Sequence, residues 1–363
     1  MKPVLVLLLA LPGLLPAQGD RPLTGAIRWD AWYSDEGPVK EVERSLGQPK
    51  YHFRLPWFAK VEGPDKVRIN GDTEEIMRRE IAYAAEAGLD YWAFLDYGPG
   101  DNMTRAFDRY LAAQDKRSIR YCLIEEGARL DGRGPKDWAR VIGHFQSPDY
   151  LKVLDDRPLL YIFSRPKNYG KELFEELTRQ TLAAGLKQPY LVLLGWNAAE
   201  DRETFGCDAV SEYGTGKGYT SDHWSYEELT KEMKRKFWET WKRERVPFVT
   251  YFTAGWDTRP RHERPPSWCK WITAAPDPTP LEQQKPLIDN VTAKPEQLAR
   301  HMQEALDFTR ANRDLNPAQL ILIYGWNEND EGGWLIPTLN LDGSANEDRI
   351  KALGPVLRPA ATR

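Results

Sequence analysis

Two glutamates three residues apart, Glu328 and Glu331, stand near the end of the chain in the run Ile321-Leu322-Ile323-Tyr324-Gly325-Trp326-Asn327-Glu328-Asn329-Asp330-Glu331-Gly332-Gly333-Trp334. An apolar segment delivers Trp-Asn-Glu at its exit, a second carboxylate follows, and paired glycines turn the chain back. Two carboxyl groups converging on one substrate are what glycoside cleavage needs, one to protonate the leaving oxygen and one to act opposite or beside it. Mutual repulsion, with aromatic walls excluding water, would raise one pKa and hold that residue as an acid. An isolated Glu-x-x-Glu is ordinarily a solvated loop or a cap. Here the strand before it and the flanking Trp326, Asn327 and Trp334 favour the catalytic reading.

Such a turn needs a scaffold, and the chain reads as one. Short β-branched or aromatic runs alternate with helical patterns throughout, as in βα units with a parallel sheet. The strands expected are Gly25–Tyr33, Leu89–Leu95, Arg120–Ile124, Pro158–Phe163, Tyr190–Leu194, Asp208–Ser211, Pro247–Phe252 and Gln319–Tyr324. Helices are expected over Thr73–Ala87, with Asp72 as N-cap and Gly88 as stop, and over Lys171–Ala184, Tyr226–Arg243 and Pro295–Asn312. Eight strands without an internal repeat or flexible linker predict a single-domain (β/α)8 TIM barrel, an α/β fold, over residues 20–363. An open doubly wound sheet is the alternative.

A barrel places chemistry just past the C-terminal ends of its strands. Those positions hold Asp30 and Tyr33, Asp96 and Tyr97, Glu125 and Glu126, Ser164 and Arg165, Trp196 and Asn197, Glu212 and Tyr213, Trp256 and Asp257, and Asn327 and Glu328. Polar and aromatic residues fill nearly every exit, so substrate binding is expected there. Two long excursions belong on the same face. Ser34–Lys60 carries Tyr51, His52, Arg54 and Trp57. Thr258–Lys294 carries Arg259, Arg261, His262, Arg264 and Trp268, and its guanidinium forks suit a sulfate or uronate.

Composition narrows the function classes. The formal charge is −4 and the isoelectric point near 5.9, which gives no footprint for nucleic acid. Fourteen Trp and sixteen Tyr make up about one residue in twelve; flat rings with a polar edge suit sugar faces as well as cores. The five histidines are scattered, without a His-x-x-x-His pair, so neither a metal site nor a cofactor is expected. Three cysteines are too few for a disulfide framework. Lys2 followed by apolar Val4–Leu15 reads as a signal peptide over residues 1–19, too short to span a bilayer. An exported protein acting on oligo- or polysaccharide, with no membrane segment after cleavage, is therefore expected.

Several motifs carry a family resemblance. Gly25-Ala26-Ile27-Arg28-Trp29-Asp30-Ala31-Trp32-Tyr33, Tyr51-His52-Phe53-Arg54-Leu55-Pro56-Trp57-Phe58 and Ala87-Gly88-Leu89-Asp90-Tyr91-Trp92-Ala93-Phe94 resemble WbsX-type proteins, relatives of glycoside hydrolase family 99 (endo-alpha-mannosidase). Asp156-Arg157-Pro158-Leu159-Leu160, Gly255-Trp256-Asp257-Thr258-Arg259-Pro260-Arg261 and the Trp326-Asn327-Glu328 block continue the series in order. The resemblance implies a barrel and a retaining mechanism. In it Glu328 would deprotonate the sugar's own 2-hydroxyl, which attacks the anomeric carbon, and Glu331 would serve as acid and then base. Asn329 and Asp330 stand where the mannosidases carry Trp-His, a departure that bears on mannoside specificity more than on glycosidic chemistry. Two other readings remain: a non-catalytic saccharide-binding barrel, and a glycosyltransferase, for which the chain shows no Asp-x-Asp triplet or phosphate-binding glycine loop.

Overall fold

A computed structural model describes residues 21–133, 138–195, 197–217, 224–274 and 281–358. The expected leader over residues 1–19 lies outside them. Eight parallel strands form the barrel: β1 (Leu23–Arg28), β2 (Tyr91–Leu95), β3 (Arg120–Glu126), β4 (Arg157–Phe163), β5 (Tyr190–Leu194), β6 (Ala209–Ser211), β7 (Thr250–Thr253) and β8 (Leu320–Tyr324). Neighbours in sequence are neighbours in the sheet, and β8 pairs with both β7 and β1. The ring closes between β6 and the chain entering β7, through a parallel bridge from Val210 to Phe248. The Val210 N–H donates to the Pro247 carbonyl at 3.0 Å and the Val249 N–H to the Val210 carbonyl at 2.8 Å. Closure excludes the open doubly wound sheet.

All eight expected strands form, with shifted ends. β1 stops at Arg28 rather than Tyr33, because the next residues turn inward to meet buried partners. β3 runs on through Glu125 and Glu126, which pair with Ile162 and Phe163 of β4. The helix expected to be capped by Asp72 begins at Glu74, and its N-cap is Thr73, whose hydroxyl accepts the Ile76 N–H. Asp72 instead binds Arg105 and Arg109, each at 2.8 Å. Gly88 ends this helix at φ +85° as expected. The stretch Tyr226–Arg243 is helical with a widened turn at Lys234–Glu239. All three cysteines are free and buried. Among the described residues no helix is long and apolar enough to cross a membrane.

Side chains of the strands fill the barrel, as in other closed parallel sheets. The Tyr91 ring crosses the interior, its hydroxyl 2.9 Å from that of Tyr161. It fits only over a glycine, because a Cβ on Gly25 would lie 2.3 Å from the ring. Above this layer sits a buried ionic cluster. Arg28 binds Asp30 at 2.6 Å and Glu80 at 2.7 Å, with its guanidinium 4.4 Å from the centre of the Trp92 ring. The Tyr33 hydroxyl and the Trp326 indole N–H both donate to Glu80, at 2.6 and 2.7 Å. Asn327 completes the link: its amide donates to Asp30 at 3.0 Å, and its oxygen accepts the Trp29 N–H at 2.9 Å. The Trp-Asn pair before Glu328 is thereby bonded to β1 and to the helix Glu74–Glu86.

Removing the guanidinium would strand two buried acids. Arg28→Met is expected to cost roughly 3–5 kcal/mol in urea unfolding; a loss under about 1 kcal/mol, as for an exposed pair, would contradict a structural role for this cluster.

Candidate active site

The turn that presents the glutamates is shaped by close backbone packing. Past β8, Asn327–Glu328 pairs antiparallel with Gly333–Trp334, and Asn329–Glu331 makes a single 3-10 turn between them. Gly332 closes the turn at φ +85°, where a Cβ would come within 2.4 Å of the Asp257 nitrogen. That nitrogen donates to the Glu331 carbonyl at 2.6 Å, which joins the β8 exit to the β7 exit.

Both glutamates open onto one cavity of about 880 Å3 at the C-terminal ends of the strands, within the size range of small-molecule sites. Trp29, Tyr97, Phe163, Tyr213, Trp256 and Trp268 supply its aromatic walls. Glu126, Arg129, Asp101, Arg165 and Asp201 supply a charged side. The rings support one another: Phe163 and Tyr213 lie 4.3 Å apart, and Trp29 meets Trp268 edge-on at 5.9 Å.

One guanidinium organises the acids. Arg261 donates through Nε and Nη2 to Asp330, at 2.7 and 3.0 Å, through Nη1 to Glu331, and more distantly through Nη2 to Glu328 at 3.4 Å. Its flat face lies 4.9 Å from the centre of the Trp29 ring. Glu331 also accepts the Tyr324 hydroxyl, and Glu328 accepts the Tyr213 hydroxyl at 2.9 Å. Burial, followed by the negative charge of Glu331, pushes the Glu328 carboxyl well above the usual carboxylate range, against the pull of Arg261. Of the turn's acids, Glu328 is thereby the one biased toward its protonated form.

A third carboxyl faces the same space. Glu212, at the exit of β6, lines the cavity and is 1% exposed. Its Oε1 accepts the Tyr213 N–H at 2.9 Å, while its Oε2 has no hydrogen-bond partner. Burial pushes this carboxyl up to about 8, with the Tyr213 N–H as the largest opposing influence.

Of the residues expected from the strand exits and the glutamate turn, the structure brings Tyr97, Glu126, Ser164, Arg165, Asn197, Glu212, Tyr213, Trp256, Glu328 and Glu331 to the cavity. Trp196 lies outside the described residues. The others sit behind the wall, for reasons that are physical. Asp30, Tyr33, Trp326 and Asn327 are consumed by the Arg28 cluster. Asp96 is held by Arg140 and by the Gly98 N–H, and Glu125 is fully buried beside the same arginine. Asp257 binds Arg54 and Arg259. Tyr51 donates to Glu263 at 2.8 Å, and the His52 ring nitrogen lies 2.8 Å from the Gly47 carbonyl oxygen. Trp334 lies under Arg349, whose guanidinium is 3.7 Å from the ring centre. The arginines of the second excursion are likewise engaged inward: Arg259 on Asp257, Arg261 on its three acids, Arg264 on Asp65 and the Arg44 carbonyl. They do not offer an open fork to a substrate anion. Asp330 serves Arg261 and does not line the cavity.

Sequence reasoning missed Arg129, Phe163 and the hydroxyl of Tyr324. Phe163 and Tyr324 left a signal, as the last residues of β4 and β8; Arg129 left none. Among the described residues no cluster of His, Cys, Asp and Glu is arranged to hold a metal.

A family model described as Glycosyltransferase WbsX matches residues 131–345, more than half of the chain. The chain belongs to the WbsX family. A search of curated proteins finds no match. Among solved structures, this WbsX-family chain is similar to the GH99 endo-alpha-mannosidase from Bacteroides thetaiotaomicron in two forms. The complex with BIS-TRIS-propane is 15% identical at TM-score 0.53, and the other structure 16% identical at 0.52. Each match covers 93% of this chain and 96% of the other. At that identity the likeness establishes a shared fold, the barrel.

The raised Glu212 carboxyl has a thermodynamic consequence. The folded state keeps a proton that the unfolded chain releases near pH 4.3, so stability from this group is complete below that pH and declines as pH rises toward about 8. Glu212→Gln removes the titration. The variant is expected to gain on wild type across that window, by a few kcal/mol at most, in urea unfolding from about pH 5 to about pH 9. A stability difference independent of pH would show that the carboxyl is ionised throughout.

Proposed function

We propose that this WbsX-family chain is an exported glycoside hydrolase that cleaves an oligo- or polysaccharide with Glu328 and Glu331 as its carboxyl pair. One observation carries the reading: the two carboxyls meet the same aromatic-walled cavity while sharing the Arg261 guanidinium. Cleavage of a glycosidic bond requires a proton for the leaving oxygen and a second carboxyl for the anomeric side. A buried pair in which Glu328 is pushed toward its protonated form suits both. Trp29, Trp256 and Trp268 offer ring faces and edges to sugar carbons, and Tyr213 is placed to orient Glu328. Export rests on Lys2 and the apolar stretch Val4–Leu15.

The likeness to the mannosidases supports a retaining route in which Glu328 takes a proton from the sugar 2-hydroxyl and Glu331 works as acid, then base. The upward push on the Glu328 carboxyl bears on that division. A base at Glu328 works only once ionised, so kcat/KM would climb with pH through a limb above the usual carboxylate range. An acid at Glu328 would make kcat/KM fall through the same limb. The glycosyltransferase name of the WbsX family favours a second reading, transfer of a sugar to an acceptor rather than to water. A catalytically silent saccharide-binding barrel is the third.

The experiment is product analysis on a panel of defined oligosaccharides, with binding followed by calorimetry. Wild type is expected to release reducing ends from at least one substrate. Glu328→Gln and Glu331→Gln should each reduce release by about 10³-fold or more while retaining binding. Binding without any release would favour the silent barrel. Elongation of an acceptor from a nucleotide sugar would favour transfer.

A further inference from the structure

The C-terminal helix, Asp348–Leu357, contributes nothing to the cavity wall, but one of its side chains reaches the back of the glutamate turn. The helix is docked tightly on the helix Glu74–Glu86, since a Cβ on Gly354 would lie 2.7 Å from the Glu86 carbonyl oxygen. Arg349, in its first turn, is buried. A buried cation is ordinarily met by an acid, yet among the described residues no carboxylate pairs with Arg349. Three carbonyls receive it instead. Its Nη1 donates to Trp334 at 2.6 Å and to Ala254 at 3.3 Å, and its Nη2 to Ala293 at 3.1 Å. The guanidinium lies 3.7 Å from the centre of the Trp334 ring, and that of Arg54 stands 5.6 Å from the same ring.

Those carbonyls belong to three segments that meet around the turn. Trp334 pairs with Asn327, the residue before Glu328. Ala254 follows β7, and its N–H donates at 2.6 Å to the carbonyl of Tyr324, the last residue of β8. Ala293 lies at the end of the excursion that supplies Arg261 to the acids. Burying a cation carries a desolvation cost that a neutral side chain would avoid. What the planar fork offers is several directional bonds to fixed acceptors at once. We propose that Arg349 is a positioning residue for the carboxyl pair: it ties the three segments together from behind and fixes the spacing of Glu328 and Glu331 without touching substrate. The inference rests on the hydrolase reading of that pair and adds to it that the C-terminal helix takes part in setting the geometry of the site.

The test compares Arg349→Lys and Arg349→Met with wild type, first by amide hydrogen exchange read by mass spectrometry, which needs no substrate. Exchange over residues 325–334 is expected to rise about tenfold or more in the folded variants, with β3 and β4 unchanged. Kinetics on the shortest oligosaccharide of the defined panel that wild type cleaves give the second readout. Displacement by about 1 Å can cost about 100-fold. Activity per folded molecule should therefore show kcat lowered by about 10- to 100-fold at unchanged KM, with Arg349→Lys losing less than Arg349→Met. The kcat/KM limb set by Glu328 should also move toward the ordinary carboxylate range as the turn loosens, which a mere loss of folded protein would not cause. Exchange rising equally in β3 and β4, or loss of the fold in both variants, would show a residue needed by the whole barrel and overturn the proposal. Unchanged exchange in the turn together with unchanged kcat would overturn it as well. If wild type cleaves nothing on the panel, the hydrolase reading falls. Exchange confined to the turn would then still support Arg349 as its anchor, and exchange spread over the barrel would overturn that too.

Discussion

A single guanidinium, that of Arg261, sets the terms for everything at the mouth of this barrel. Three acids, Glu328, Asp330 and Glu331, are packed into one tight turn and nearly removed from water. Like charges at that density would drive the turn apart or force protons onto it. Arg261 answers all three, most distantly Glu328, whose carboxyl is pushed upward by burial and by the charge of Glu331. Asp330 holds the arginine by two hydrogen bonds. Positioning and charge balance are thus the same interaction.

The scaffold exists largely to keep that arginine and that turn in register. Lys50 and Tyr51 from the first excursion both reach Glu263, the last residue of the short helix Arg259–Glu263 that carries the arginine. Arg54 meets Asp257, and the Asn329 amide donates to the Arg54 carbonyl at 2.5 Å. On the other side Asn327 and Trp326 tie the turn to the Arg28 cluster. Buried pairs of this kind contribute little net stability relative to apolar substitutes, but their directional bonds fix geometry. The long loops after β1 and β7 therefore act chiefly as buttresses, with only Pro38 of the first and Arg261 and Trp268 of the second reaching the cavity among the described residues.

Much of this was legible beforehand. Alternating strand and helix patterns marked all eight strands, because a parallel strand buried on both sides must be an unbroken apolar run. The rule that chemistry lies at strand exits located Tyr97, Glu212, Tyr213, Trp256 and the glutamate pair. It could not separate residues facing the cavity from those one step to either side. Asp30 and Glu125 are as polar and as well placed in sequence as Glu212, yet Arg28 encloses the one, and the other is buried beside Arg140. Which acid meets which arginine is decided by contacts between segments far apart in sequence, Arg28 with Glu80 or Arg261 with Glu331, and no local pattern records them. The same holds for Thr73, which caps its helix because Asp72 is engaged by Arg105 and Arg109.

The most direct measurement is a crystal structure of Glu331→Gln with the longest oligosaccharide that the protein binds. The expected result is a glycosidic oxygen lying between Glu328 and residue 331, within hydrogen-bond reach of about 2.6–3.2 Å, with sugar faces against the tryptophan walls. A saccharide seated at the charged side near Glu126 and Arg129, with both positions of the pair untouched, would contradict the assignment of chemistry to this turn.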